Sequence, residues 1–316
     1  MTDVADSDSA LLAETADAIL GLDDPWPALV EAGLTGVGVP EDAGGSGGGL
    51  ADVAVLLRAQ GYHGAAVPLA ETLLAGRLLA ATGRSVPPGP LTVVPGRFAR
   101  RVPWARDAHR LVVLDGDRVA IVGPGDVEIV HGTNVAGEPR DDVTVRGDLA
   151  AVECPVAVED VMLRGALLRA VQLTGAMRRT LELAVRHAGE REQFGRPLGR
   201  FQAVQQQLAE LAGEVAVADV AVRAALRAPG DGFAVAAAKL NASRAAGVVA
   251  DLAHQVHGAI GVTSEHPLGA LTTRLWAWRD EFGGEAHWAR RLGELGRVPW
   301  EAVTRTGAPP ATVTDW

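Results

Sequence analysis

The apolar residues of this chain change period twice, and that double change restricts the fold more than any other feature. Up to about residue 85 they recur at helical spacing. Leu11, Leu12, Thr15, Ile19 and Leu20 come first, then Trp26, Leu29 and Val30 before a break at Gly33. Helical patterning resumes over 50–60 and, after Pro68, over 69–82. Between these lies Val39-Pro40-Glu41 and a glycine run, Gly44-Gly45-Ser46-Gly47-Gly48-Gly49, which suits neither helix nor regular strand. From about 86 to 155 the runs are short and β-branched: Leu111-Val112-Val113-Leu114, Val119-Ala120-Ile121-Val122, Val127-Glu128-Ile129-Val130 and Val143-Thr144-Val145. Asp, Gly or Pro bounds each, as in antiparallel strands, and Asp115-Gly116-Asp117 reads as a hairpin turn. Long helical segments then return over 163–190, 201–227 and 233–256, with a shorter one over 286–295. Helices of that length usually form an antiparallel bundle. The pattern predicts a mainly α chain with a small middle β-domain. Its parts are an N-terminal helical domain (1–85), a trimmed antiparallel β-domain (86–158), a C-terminal four-helix bundle (159–300) and a loosely ordered tail (301–316).

Composition removes several classes of function. The net charge of the 316 residues is −10, with both signs interspersed and no basic stripe of the kind nucleic acid requires. One cysteine, Cys154, rules out an intramolecular disulfide framework and a multi-cysteine metal site. No histidine spacing points to a metal site. The acidic start of the chain lacks the pattern of a signal peptide, and no run of about 18 uncharged apolar residues suggests a membrane span. A cytoplasmic protein is expected. Lys239 is the only lysine.

Two motifs carry more specific chemistry. Arg191-Glu192-Gln193-Phe194-Gly195-Arg196-Pro197-Leu198, followed by Phe201-Gln202, breaks a long helix just after an arginine. A guanidinium there can grip a pyrophosphate bidentately, glutamine amides suit adenine or ribose edges, and Phe194 offers a flat apolar surface. Gln255-Val256-His257-Gly258-Ala259-Ile260-Gly261 ends another helix in glycines that let backbone N–H groups approach phosphate. In this order and spacing, and with the Val39-Pro40-Glu41 loop, the chain resembles the acyl-CoA dehydrogenase family over nearly its whole length. Ala259 stands where that family often has glycine. The resemblance implies FAD, gripped through its ADP portion across a subunit interface by Arg191, Gln193, Phe194, Leu198, Gln202, Gln255 and Gly258. It therefore implies a dimer or a dimer of dimers.

Measured against that family, two functions are missing. Members abstract an α-proton with a glutamate that must reach the α-carbon of the acyl-CoA directly. Its usual place, in a Tyr-Glu-Gly-Thr segment, matches Phe282-Gly283-Gly284-Glu285, so Gly283 occupies the base position. The family's alternative place, ten residues before a glycine matched to Gly175, is Gly165. The flavin-ring segment Thr-Glu-Pro-x-x-Gly-Ser is also absent; Val94-Pro95-Gly96-Arg97 bears no likeness to it. The chain in this respect is similar to the short, degenerate subunits of actinobacterial heterotetrameric acyl-CoA dehydrogenases of steroid catabolism. That likeness implies an α2β2 assembly in which a catalytic acyl-CoA dehydrogenase subunit supplies base and ring pocket. The implied reaction oxidises an acyl-CoA to a trans-2-enoyl-CoA and passes electrons to an electron-transfer flavoprotein.

Two other readings stay open at this level. One is a self-sufficient homo-oligomer whose base has moved to Glu281 or Glu285, with Asp280 nearby, although these acids also read as a solvated cluster pairing with Arg279, Arg290 and Arg291. His254, His257, His266 and His287 are further titratable groups in the same region. The other is a flavin-free scaffold that only stabilises a partner. On the helix after the first motif, Leu208, Leu211, Ala212, Val215, Ala218 and Val222 repeat at helical spacing, and the small residues of 216–225 permit close helix approach.

Overall fold

A computed structural model describes residues 2–263 and 266–295; the expected tail over 301–316 lies outside them. The described chain forms two compact units, one of 2–60 with 65–168 and the other of 61–64 with 169–295.

The first unit begins with α1 (Thr2–Leu20), α2 (Trp26–Glu31), α3 (Leu50–His63) and α4 (Leu69–Ala81). Ten residues of α4 are buried, on every face, so this helix threads a core rather than covering one. Its Thr72 hydroxyl accepts from the Leu91 amide at 3.1 Å, which ties it to the first strand. The glycine run is a compact loop laced by Gly38 N–H to Gly47 O at 2.7 Å and Gly47 N–H to Val39 O at 2.9 Å. Gly45 has to be glycine, because a Cβ there would lie 2.2 Å from the Val39 carbonyl oxygen.

Seven strands follow: β1 (Leu91–Pro95), β2 (Phe98–Pro103), β3 (Arg110–Asp115), β4 (Arg118–Val122), β5 (Val127–Val130), β6 (Arg140–Val145) and β7 (Val152–Glu153). They pair as two sheets, β1-β3-β4-β7 and β2-β6-β5. Val94, Val113, Val122, Ala99, Val102, Val143 and Val145 from both sheets share one apolar core. All pairings are antiparallel except β1 with β3, which run parallel. Leu111 to Leu114 are all fully buried, which explains why β3 reads as an unbroken apolar run. The predicted turn is present: Asp115 pairs with Arg118 across Gly116 (φ +62°) and Asp117. Strands β1 and β2 have no clear period in the sequence. Pro95-Gly96 interrupts it, and a bulge between Ala99 and Val102, with Arg101 at φ +54°, places two arginines side by side. Cys154 is a buried free thiol.

The second unit holds most of α5 (Val158–Glu190), then α6 (Gln202–Arg227), α7 (Gly232–His257), α8 (Leu268–Trp278) and α9 (Glu285–Leu295). Helix α7 starts where the Asp231 carboxylate accepts from the Phe233 amide at 2.9 Å. On α6 the buried residues are Leu211, Val215, Ala218, Val222 and Ala225, an alternation of four and three that suits close packing on the alanine-rich α7. Leu208 is only half-buried and Ala212 is exposed, so the buried seam is narrower than the sequence pattern. Helix α8 adds to the four predicted helices. Its buried Leu268, Leu271, Leu275 and Trp278 do follow a helical period, masked in the sequence by Gly269 and two threonines. Among the described residues no helix is long and apolar enough to cross a membrane.

Candidate functional site

Helix α5 ends as Arg191 N–H donates to the His187 carbonyl at 2.9 Å. The chain then turns back in a small hairpin, β8 (Glu192–Gln193) against β9 (Arg196–Pro197), closed when Leu198 N–H donates to Arg191 O at 2.8 Å. Both loop residues are left-handed, Phe194 at φ +52° and Gly195 at φ +76°, the pattern of a type I′ turn. Phenylalanine rarely accepts that conformation, at a cost on the order of 1–2 kcal/mol. Yet Phe194 is 91% exposed, touching Phe201 edge-to-face at 6.2 Å while the Arg196 guanidinium covers Phe201 at 4.1 Å. Arg191, Gln193 and Gln202 are exposed as well, and Leu198 is half-buried. A strained turn that holds an aromatic ring in water presents that ring to something else.

The second motif arrives at the same end of this unit. Gln207 of α6 donates to the Gln255 side-chain carbonyl of α7 at 2.9 Å, and the His187 ring stacks on His257 at 4.6 Å. His266 closes on His257 at 4.8 Å. Gly258 is exposed with φ +63°, but its N–H caps α7 by donating to His254 O. What Gly258 offers a ligand is therefore a bare Cα, not the free N–H the sequence suggested. An open groove of about 480 Å³ runs beside Gln255, lined by Asp251, His254, Thr272, Thr273 and Trp276.

The histidines here differ in burial and in partners. His257 is buried, its Nδ1 bonds the Ala253 carbonyl at 2.7 Å, and burial lowers its pKa to about 4. His254 binds the Thr272 hydroxyl at 2.9 Å, lies on Trp276 and is likewise shifted down by burial. His287 is exposed against the edge of Trp288. Because folding lowers the His257 pKa, the unfolded chain binds more protons between about 4 and 6.5. Stability should hold above pH 6.5 and fall as pH drops through that window. Unfolding midpoints measured across it test this, and His257→Gln should flatten the slope. Among the described residues no group of three or more histidine, cysteine or acidic side chains could hold a metal ion.

The position that the family resemblance assigns to the base lies in the 279–284 loop between α8 and α9. Trp288 Nε1 donates to the carbonyls of Phe282 at 3.1 Å and Gly283 at 3.0 Å. Phe282 is at φ +53° and Gly283 at φ +94°, and a Cβ on Gly283 would come within 2.7 Å of His287 Cδ2 and 2.8 Å of Trp288 Nε1. That position is crowded by its neighbours, not merely short of a carboxylate. Gly165 is buried in the part of α5 that belongs to the first unit. Of the acids around the loop, Asp280 and Glu285 are solvated as expected, but Glu281 is not. Glu281 pairs at 2.8 Å with Arg169, which is 2% exposed and lies over the rings of Trp278 and Phe282. Asp280 is 3.9 Å from Arg279 and mostly exposed, Glu285 is exposed at the start of α9, and Arg290 and Arg291 pair with Glu294. Arg169, Trp288 and Lys239, which shape this loop, were not identified from sequence. Lys239 did carry a signal, as a lone charge among the buried spacings of an alanine-rich helix.

Comparison with known proteins agrees with this geometry. Residues 5–85 match the model for the acyl-CoA dehydrogenase N-terminal domain, and 155–279 match that for the C-terminal domain. The chain is 32% identical to acyl-CoA dehydrogenase IpdE2 of Mycolicibacterium smegmatis over 84% of its own length and 86% of that protein's. Its structure resembles the ChsE4-ChsE5 complex from Mycobacterium tuberculosis with a TM-score of 0.83 and 26% identity, over 92% of this chain and 98% of the other. It also resembles the Tcur3481-Tcur3483 steroid ACAD G363A variant, at 0.81 and 26%, over 95% and 99%.

Proposed function

Because the chain belongs to the acyl-CoA dehydrogenase family, we propose that it completes the FAD site of a catalytic partner subunit and does not itself supply the base. Members of the family are FAD flavoproteins that act on CH–CH bonds. The observation that carries the reading is the closed seat: glycine at 283, in a conformation and a space that admit no side chain. The outward-facing hairpin supports the cofactor half of it. Arg191 would hold the pyrophosphate bidentately, Gln193, Gln202 and Gln255 the adenine and ribose edges, and Phe194 and Leu198 the adenine face, with Gly258 allowing close approach. Bound flavin would accept the substrate hydride, while these residues bind and orient the cofactor and the partner removes the proton. Similar structures that hold two different proteins favour a hetero-oligomer, and α2β2 is the assembly the family resemblance implies. A steroid-derived acyl-CoA as substrate, and an electron-transfer flavoprotein as electron acceptor, complete the proposal.

Flavin absorbance and native mass, measured on the chain alone and co-expressed with an acyl-CoA dehydrogenase subunit, test it. The expected result is a colourless chain and a larger, yellow pair. A chain that alone carries FAD and oxidises an acyl-CoA would refute the complementing role. Phe194→Gly should relieve the strained turn and raise the stability of the isolated chain by about 1 kcal/mol, yet lower the flavin content of the pair several-fold. Unchanged flavin in both Phe194→Gly and Arg191→Ala pairs would leave a flavin-free scaffold as the better account.

A further inference from the structure

Lys239 lies on α7 with no part of its surface exposed. Its Nζ donates to the carbonyls of Arg279 at 2.7 Å and Gly283 at 2.9 Å, and to the Ser243 hydroxyl at 2.9 Å. The Ser243 hydroxyl donates in turn to the Arg279 carbonyl at 2.8 Å, so its oxygen can only accept from the lysine. Three acceptors therefore face three N–H bonds, and the protonated amine satisfies all three while Ser243 keeps its own bond to Arg279. The two carbonyls belong to the first residue of the 279–284 loop and to its last but one, and the second of them, Gly283, is left-handed like its neighbour Phe282. Without a restraint, such backbone would relax.

We propose that Lys239 is a latch: its ammonium clasps the Arg279 and Gly283 carbonyls of the 279–284 loop and keeps the vacated seat shut, and loss of one proton loosens it. A fully buried cation is costly when apolar residues could fill the same volume. An apolar side chain, however, would leave the Arg279 carbonyl to Ser243 alone and the Gly283 carbonyl to Trp288 alone, with no donor joining the two. The charged groups facing Lys239 are Arg169 from α5, which opposes its charge, and Glu281 and Asp280 from the loop, which favour it. His287 of α9 abuts Gly283. Burial outweighs these and lowers the lysine pKa to about 7, so the latch is poised near neutral pH. The neutral amine keeps two N–H bonds. Its lone pair can accept from the Ser243 hydroxyl only if that hydroxyl leaves the Arg279 carbonyl, so the cluster loses one hydrogen bond together with the charge that strengthens the others.

The sign distinguishes this local event from unfolding. An unfolded lysine holds its proton to about pH 10.4, so between about 7 and 10.4 the unfolded chain binds more protons than the folded one. Global stability therefore gains with rising pH from this group while the loop loosens. Indole ¹⁵N spectra of the full chain, with Trp288 assigned through Trp288→Phe, provide the test. The Trp288 signal should titrate with a midpoint near 7. Amide exchange of 280–284 should rise at least tenfold beyond base catalysis, without a fall in unfolding midpoint. Lys239→Met should abolish the titration. Ser243→Ala, a milder change, should speed exchange of the loop and lower the midpoint, because an acceptor for the ammonium is gone. A flat Trp288 response, or a titration that Ser243→Ala leaves unmoved, overturns the proposal.

Discussion

Gly283→Glu is expected to yield a less stable protein with no dehydrogenase activity of its own, although it introduces a carboxylate where the family resemblance places the base. Two separate obstacles act on the new side chain. At φ +94° any L residue is strained, by roughly 1–2 kcal/mol. Its Cβ would also overlap His287 and Trp288, and overpacking of this kind costs about 1–3 kcal/mol. Together these suggest a loss of roughly 3 kcal/mol, or about 6–12 °C in unfolding midpoint. The carboxylate would be directed at the His287–Trp288 edge. Calorimetry and acyl-CoA-dependent dye reduction measure both effects. Turnover by the variant alone would show that the loop opens easily, and would remove the main support for a complementing role.

Glu281→Gln separates structure from catalysis at the other acid of interest. If Glu281 were a relocated base, the glutamine variant would fold normally and lose turnover. The geometry argues for the reverse. Glu281 lies 2.8 Å from Arg169, and the two side chains are 11% and 2% exposed. Removing one partner of a buried pair leaves the other charge uncompensated, at about 3–5 kcal/mol. The flat faces of Trp278 and Phe282 beside Arg169 recover part of that, so a loss near 3 kcal/mol is expected. Arg169→Met added to Glu281→Gln should recover much of the stability, since an apolar pair of similar volume is often tolerated. Denaturant unfolding of the three variants measures the cycle. Wild-type stability in Glu281→Gln, with lost turnover of the assembled complex, would return Glu281 to candidacy as a base.

Sequence alone determined whatever depends on neighbours within a turn or a strand. The helices over 50–63, 69–81 and 202–227, the four β-branched strands and the Gly116 hairpin were legible because burial imposes its period on local spacing. The exposed residues around the hairpin after α5 were legible as a motif for a similar reason: Arg191, Gln193, Phe194 and Gln202 are close neighbours in sequence, from the end of α5 to the start of α6. Tertiary structure decided what depends on partners distant along the chain. Glycine at 283 could be read as a missing base, but the closing of its seat depends on His287, Trp288 and Lys239. Glu281 looked solvated until Arg169, more than a hundred residues earlier, proved to be its partner. Gly258 looked like a donor until the helix cap took its N–H. Strands β1 and β2 escaped notice because a bulge and a proline broke their alternation, and only pairing with β3 and β6 defines them. A side chain's chemistry is written in its residue type, but whether it is solvated, paired or enclosed is set by contacts that periodicity does not encode.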